Sequence, residues 1–186
     1  MKQYRGITLL NALISLSILL ILISLSSDNL AYLQESNSSQ QALNQITKTI
    51  QLARSFAVMN RSLVTVCRSV DGIECSGQWH DGVLVFSDQN GDRIINETDK
   101  LLYYAAQPKL NGTIKWRAFQ NRQYLQITSQ GFTRYQNGNF TYCPHNADPR
   151  KALQLVINRT GRTRFARDND GDGIVEDSQG KPVTCR

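Results

Sequence analysis

Between Gly6 and Gly72 the chain has neither glycine nor proline, and between Ile7 and Leu25 it has no charged residue. The first absence removes the two residues that break helices, so nothing local interrupts a helix over that stretch. The second excludes an ordinary surface helix at its start. ITLLNALISLSILLILISL would span about 28 Å as a helix, against a hydrocarbon core of about 30 Å. Histidine is scarce: His80 and His145 stand apart, and there is no CxxC pair, HExxH, phosphate loop or nucleophile elbow. Zinc sites and the common hydrolytic and nucleotide-dependent enzymes are therefore disfavoured. Acids are almost missing from Lys100 to Arg167, where twelve Lys and Arg accompany one acid, Asp148. Five acids then crowd Asp168 to Asp177, in a chain of net charge +6. That imbalance points to a polyanionic partner.

Three readings fit the apolar run. A secretory signal has a core of about 7–15 residues ending at a small-residue cleavage site. This run is longer, and Ser24, Ser26 and Ser27 make a poor site. A plain transmembrane anchor is the second reading. The third uses the leader: MKQYRG before ITLLNALISL resembles the class III signal of type IV pilins and type II secretion pseudopilins. The resemblance implies that prepilin peptidase cuts after Gly6 and that the new N-terminus, Ile7, is N-methylated. It also implies that the run first anchors the subunit in the inner membrane and later packs in a filament core. Such proteins usually carry Glu as the fifth mature residue, where this chain has Asn11. A carboxylate there pairs with a neighbour's N-terminal ammonium; an amide hydrogen-bonds but does not neutralise it. Some tip subunits lack the Glu, so Asn11 points to a minor, tip-located subunit or to inefficient incorporation.

The domain plan follows: 1–6 leader, 7–28 the membrane and filament-core half of a helix, 29–61 its amphipathic half, and 62–186 a β-rich domain. Lys2 and Arg5 place Met1 in the cytoplasm and the C-terminal domain in the periplasm. Cys67, Cys75, Cys143 and Cys185 all lie in the exported part, where disulfides persist. Three pairings are possible. Cys67–Cys75, closing a loop around Gly72, with Cys143–Cys185, tying down the C-terminus, is favoured. Leu30, Leu33, Leu43, Ile46, Ile50, Ala53 and Ala57 recur at helical spacing. Strands are expected at 62–67, 79–87, 100–105, 113–119, 124–129 and 153–158. A hairpin is expected over 132–142 with Asn137-Gly138 at its tip, and 162–166 pairs back across Thr160-Gly161. The fold class is α+β: a long N-terminal α-helix packed on an antiparallel β-sheet domain, as in type IV pilins.

Several phrases sharpen the resemblance. Ala53-Arg54-Ser55-Phe56-Ala57 followed by Val64-Thr65-Val66-Cys67 resembles the helix end and first strand of the FimT/GspH family. The segment from Trp79 to Asp92, WHDGVLVFSDQNGD, resembles its tryptophan-led strand and acidic turn. The likeness covers essentially the whole chain, and the order of the phrases is what is specific.

Asn158 to Arg167 reads NRTGRTRFAR. Gly161 permits a tight turn or positive φ. Arg162 and Arg164 then share one face of an extended strand, about 6–7 Å apart, and guanidinium forks grip phosphates bidentately. Gly161-Arg162-Thr163-Arg164 also matches the GRxR motif of the FimT branch, which implies DNA binding during natural transformation. Arg159 and Arg167 widen the patch. The alternative is a solvated hairpin tip whose arginines pair with the acids of 168–177. With no recognition helix, phosphate contact dominates base readout. Lys109, Lys115, Arg117, Arg134, Arg150 and Lys151 are distant recruits. Tyr103, Tyr104 and Trp116 are candidates for stacking on single strands or for core packing. Asp168, Asp170 and Asp172, with Gly173 at position 6, resemble the first half of a calcium loop; Gln179 stands where Glu belongs, with Glu176 or Asp177 as substitutes. Asp88, Asn90 and Asp92 form a second such turn, with Arg93 in place of Gly. The alternative for both is an Asx-rich turn bonded to its own backbone. No cofactor is otherwise expected, and no enzyme.

The expected function is a FimT-like minor type IV pilin that binds extracellular DNA, with other major and minor pilins, prepilin peptidase, the inner membrane and the pilus assembly machinery as partners. It would be a single-pass inner-membrane protein, then part of a pilus fibre at the cell surface. The runner-up is a structural pilin or pseudopilin of the GspH/FimU kind that primes or caps a filament without touching DNA. Adhesion to an anionic surface polymer would use the same arginines.

Overall fold

The structure, a computed structural model, describes residues 8–185, with the side chains of 25–35 outside the description. Helix α1 runs Leu9–Met59, and the chain divides into two compact units, Met1–Ser36 and Asn37–Arg186. In the first unit every apolar side chain described from Leu9 to Ile23 is exposed, Leu9 by 79% and Ile23 by 57%. Among the described residues no helix is long and apolar enough to cross a membrane. The expected span over 7–28 lies partly outside the described residues, and the leader, 1–6, with its cleavage site between Gly6 and Ile7, lies wholly outside them.

In the second unit α1 buries Ala42, Leu43, Ile46, Ile50, Ala53 and Ala57. Their spacing of three and four residues puts them on one stripe. The helix ends without glycine. Arg61 takes φ 49°, and the Ser62 N–H reaches back to the Ala57 carbonyl at 3.2 Å, a left-handed stop that satisfies the last carbonyls.

Eight strands follow: β1 (Val64–Arg68), β2 (Gly82–Ser87), β3 (Leu101–Ala106), β4 (Gly112–Ala118), β5 (Tyr124–Ile127), β6 (Gly138–Pro144), β7 (Leu153–Ile157) and β8 (Thr163–Phe165). They form two antiparallel sheets, in orders β3-β2-β1-β5 and β4-β6-β7-β8. The helix stripe shares one core with both sheets. Val64, Val66, Val83, Val85, Leu125 and Ile127 come from the first, and Ile114, Trp116, Phe140, Tyr142, Leu155 and Ile157 from the second. Trp116 stacks on Phe140 with centroids 4.3 Å apart, and Trp79 meets Phe140 edge-on at 4.7 Å. On the other face of the first sheet Cys67, Leu84 and Phe86 make a smaller cluster with Ile95, Tyr104 and Tyr124.

Disulfides join Cys67 to Cys75 and Cys143 to Cys185. The second straps the C-terminal segment across the outer face of the β4-β6-β7-β8 sheet. There Val183 is buried, and its N–H bonds the Val175 carbonyl at 2.9 Å.

Two expectations fail locally. The strand expected from Trp79 starts only at Gly82, because Asp81 builds a turn: its carboxylate takes the Gln78 N–H at 2.7 Å and its own N–H bonds Gln78 O at 3.0 Å. Asn137-Gly138 is no hairpin tip. Gly138 sits in the ladder, opposite Ala118 on one side and Ile157 on the other. A Cβ there would lie 2.0 Å from the Arg117 carbonyl oxygen, so the glycine serves close strand approach rather than a turn.

Candidate nucleic-acid interface

The turn between β7 and β8 is closed by one side chain. The Asn158 carboxamide oxygen accepts the Arg162 N–H at 3.0 Å, the Asn158 N–H bonds Arg162 O at 3.1 Å, and the Gly161 N–H bonds Asn158 O at 3.0 Å. Gly161 takes φ +73°, and a Cβ on it would stand 2.9 Å from Gly131 O. Glycine is therefore required here twice over, for conformation and for contact. It is buried, while Arg159, Arg162, Arg164 and Arg167 are exposed. Arg164 lies opposite Val156 in the ladder. Arg162 precedes the strand rather than belonging to it, so the expected pair on one strand face is instead one arginine in the turn and one in β8. Among the described residues none of these four side chains forms an ion pair.

The turn is docked on the loop after β5. Thr133 is buried; its N–H and hydroxyl both donate to Arg159 O, at 3.0 and 3.2 Å, and it bridges to Ile127 of β5. Gln136, also buried, accepts the Gln126 N–H at 3.1 Å. The Arg134 N–H bonds Gln126 O at 2.8 Å. Phe132, just before the first anchor, and Arg134 and Tyr135, between the two, are exposed to solvent, with Tyr135 at φ 66°. The Arg159 guanidinium carbon lies 5.9 Å from the Tyr135 ring centroid. A groove of about 530 Å³ runs between loop and turn.

Of the distant recruits, Arg134 alone lines this groove with Arg159. Lys115 and Arg117 lie on the outer face of the second sheet, lining a separate cleft with Asp177. Arg150 packs along the acidic loop beside Gly173, and Lys109 is exposed on the segment between β3 and β4. The stacking candidates fare unevenly. Trp116 is in the core, and Tyr104 donates to Val70 O at 2.7 Å; Tyr103, in β3, is 38% exposed. Phe132 and Tyr135 were not singled out by sequence, although aromatic and basic residues interleave around Gly131.

The acids of 168–176 bond their own loop. Asp168 accepts the Gly171 and Gly173 N–H groups at 2.7 and 2.9 Å, Asp172 that of Ile174 at 2.7 Å, and Glu176 both N–H and side-chain amide of Asn169, at 2.8 and 2.6 Å. Ligand atoms of Asp168, Asp170, Asp172 and Glu176 all lie within 4.8 Å of one another. The second acidic turn is arranged differently. Asp88 is fully buried and points inward, to the Thr65 hydroxyl at 2.5 Å and the Gln126 amide at 3.0 Å. Asp92 accepts the Ile94 N–H at 2.8 Å. Further along, the Lys181 and then the Gln179 N–H hold the Asp177 carboxyl below its ordinary 3.8. Slight burial opposes them, and the charges of Lys181 and Arg117 add to the lowering.

A family model described as Type II transport protein GspH matches residues 42–161. Curated proteins return no match. Among solved structures, the type IV minor pilin FimU of Pseudomonas aeruginosa is similar in two crystal forms, both at 20% identity. One has a TM-score of 0.58, covering 83% of this chain and 99% of that one; the other has 0.54, covering 79% and 99%. The minor pseudopilin EpsH of the Vibrio cholerae type 2 secretion system aligns at 11% identity and TM-score 0.47, covering 69% and 94%. With its helix on two antiparallel sheets and a family match over most of its length, the chain belongs to the GspH family and has the fold of a minor type IV pilin.

Proposed function

We propose that this chain is a pilus subunit that binds extracellular DNA through the β7–β8 turn, for uptake in natural transformation. Four exposed arginines within the nine residues 159–167, free of ion pairs among the described residues, carry the reading. The nearby acids, which were the alternative partners, bond their own backbone instead. Arg162 and Arg164 grip phosphates, Arg159 and Arg167 extend the positive surface, and Gly161 shapes the turn. Binding of this kind is electrostatic and insensitive to sequence. The run Ile7–Leu25 holds the subunit in the inner membrane until prepilin peptidase cuts after Gly6; the subunit then joins other pilins in a fibre at the cell surface.

A second reading, a structural pilin or pseudopilin without a DNA role, is favoured by the match to a transport-protein family. Titrating duplex DNA onto the full chain in neutral detergent, at several salt concentrations, separates them. If three or four phosphates are neutralised, log K falls with log salt at a slope of about −3, and Arg162→Gln with Arg164→Gln abolishes binding. Absence of binding at low salt leaves the structural reading. Binding that survives both substitutions moves the site to other basic residues.

A further inference from the structure

The DNA reading above leaves the groove beside the turn without a role. We propose that it is a base-stacking subsite: Phe132 and Tyr135 receive an unpaired nucleobase while Arg134, Arg159 and the GRxR arginines hold its flanking phosphates, so that the protein prefers single-stranded to duplex DNA. The inference rests on the DNA reading and deepens it.

Three observations carry it. The first is exposure. Phe132 is 46% and Tyr135 63% exposed, yet both sit on a loop whose alternate anchors, Thr133 and Gln136, are buried. A loop that needed aromatics for packing would turn them in. The second is backbone conformation. Tyr135 occupies the left-handed region, which a bulky L-residue adopts only when its surroundings over-determine it. The Tyr135 N–H bonds Thr133 O at 2.9 Å, and the ring lies under Arg159. The main chain that carries the ring is thus fixed before any ligand arrives, which reduces the ordering a ligand would have to impose. The third is charge. The groove lining includes Arg134, Arg159, Thr128 and Thr160 but no carboxylate, so an anionic ligand meets no like charge.

An aromatic surface rimmed by guanidinium groups matches the chemistry of a nucleotide: a π-face to stack and a phosphate to pair. Duplex DNA hides its base faces in the stack, so only an unpaired strand or a frayed end presents them. The groove's volume lies within the usual range of small-ligand clefts, about 300–1,000 Å³. Arg159 and Thr160 wall the groove and Arg162 follows two residues later in the same Asn158-closed turn, so one short segment serves both base and backbone.

The test compares the full chain in neutral detergent on three probes of equal phosphate number: a single strand, a blunt duplex of half its length, and an abasic single strand. The single strand should bind tighter than the other two by about 5- to 150-fold per stacked base, and 2-aminopurine placed within it should be quenched on binding. Phe132→Leu with Tyr135→Leu keeps bulk and removes the rings. It should bring the single strand down to the duplex affinity and leave duplex binding within about twofold. Tyr135→Trp, which keeps a stacking ring, should retain the preference. If the single strand shows no advantage over its abasic analogue while duplex still binds through Arg162 and Arg164, the stacking subsite is refuted and the DNA reading stands. If no probe binds at all, both are refuted.

Discussion

Gly161 decides whether the arginines are presented at all. Its positive φ and its closeness to Gly131 O mean that any side chain must strain the turn and push it off the loop that carries Thr133. Gly161→Ala should cost about 1–3 kcal/mol, read as a lower urea midpoint with an unchanged slope. An unaltered midpoint would show that the turn is not docked as described. Glycine before two arginines is visible in sequence, and the turn was expected there. Its partner was not, because Gly131 is thirty residues away and nothing local marks a carbonyl that will face it. Asp88 makes the same point in reverse. Among Asn, Gly and Asp it reads as a surface acid, yet it is buried against Thr65 and Gln126, a placement that depends on how β1 and β5 pair.

At the scale of elements, period-two patterning and β-branched residues located the strands near where they lie, while Asn137-Gly138 misled. Turn signals report what a dipeptide permits, and here the permission was used for close packing inside a ladder. The loop after β5 was read as one arm of that hairpin, so its anchoring on both sheets was out of view. The C-terminal segment has an element-scale dependence of its own. Because the folded chain holds the Asp177 carboxyl below 3.8, the bonds it makes to Gln179 and Lys181 (2.8 and 3.0 Å) contribute stability above that pH. The contribution is lost as pH falls through the folded value. Asp177→Asn should therefore flatten the decline in stability from about pH 5 to about pH 2, measured by urea unfolding at each pH. The effect is small, since the group is well solvated. An identical decline in both proteins would assign the acid sensitivity elsewhere.

For the whole molecule, the α+β class was legible because it rests on long patterns, a helix without breakers and then short strands; the pilin-like fold was legible only through the resemblance carried by the leader and by phrases such as Trp79 to Asp92. Charge is just as coarse a pattern, and it too is visible in sequence as a basic stretch followed by an acidic one. What sequence does not supply is the sorting of that basic stretch into separate surfaces. Arg134 comes to the turn, while Lys115 and Arg117 go to the cleft with Asp177. The proposed route to the pilus makes one prediction at this scale. Intact-mass analysis of protein from pilus-assembling cells should find a chain beginning at N-methylated Ile7; recovery only of chains that retain Met1 to Gly6 would refute processing at Gly6.

The docking of the β7–β8 turn on the loop after β5 has a consequence for how such proteins diverge. The link uses main-chain groups, two glycines and the inward side chains of Thr133 and Gln136. Residues 132, 134, 135, 159, 162 and 164 face outward and owe the scaffold little. Mutation can rewrite that outer set while the backbone beneath stays the same. Two subunits could then superimpose closely and still differ completely in whether they hold nucleic acid, so ancestry is recorded in the inward set and occupation in the outward one.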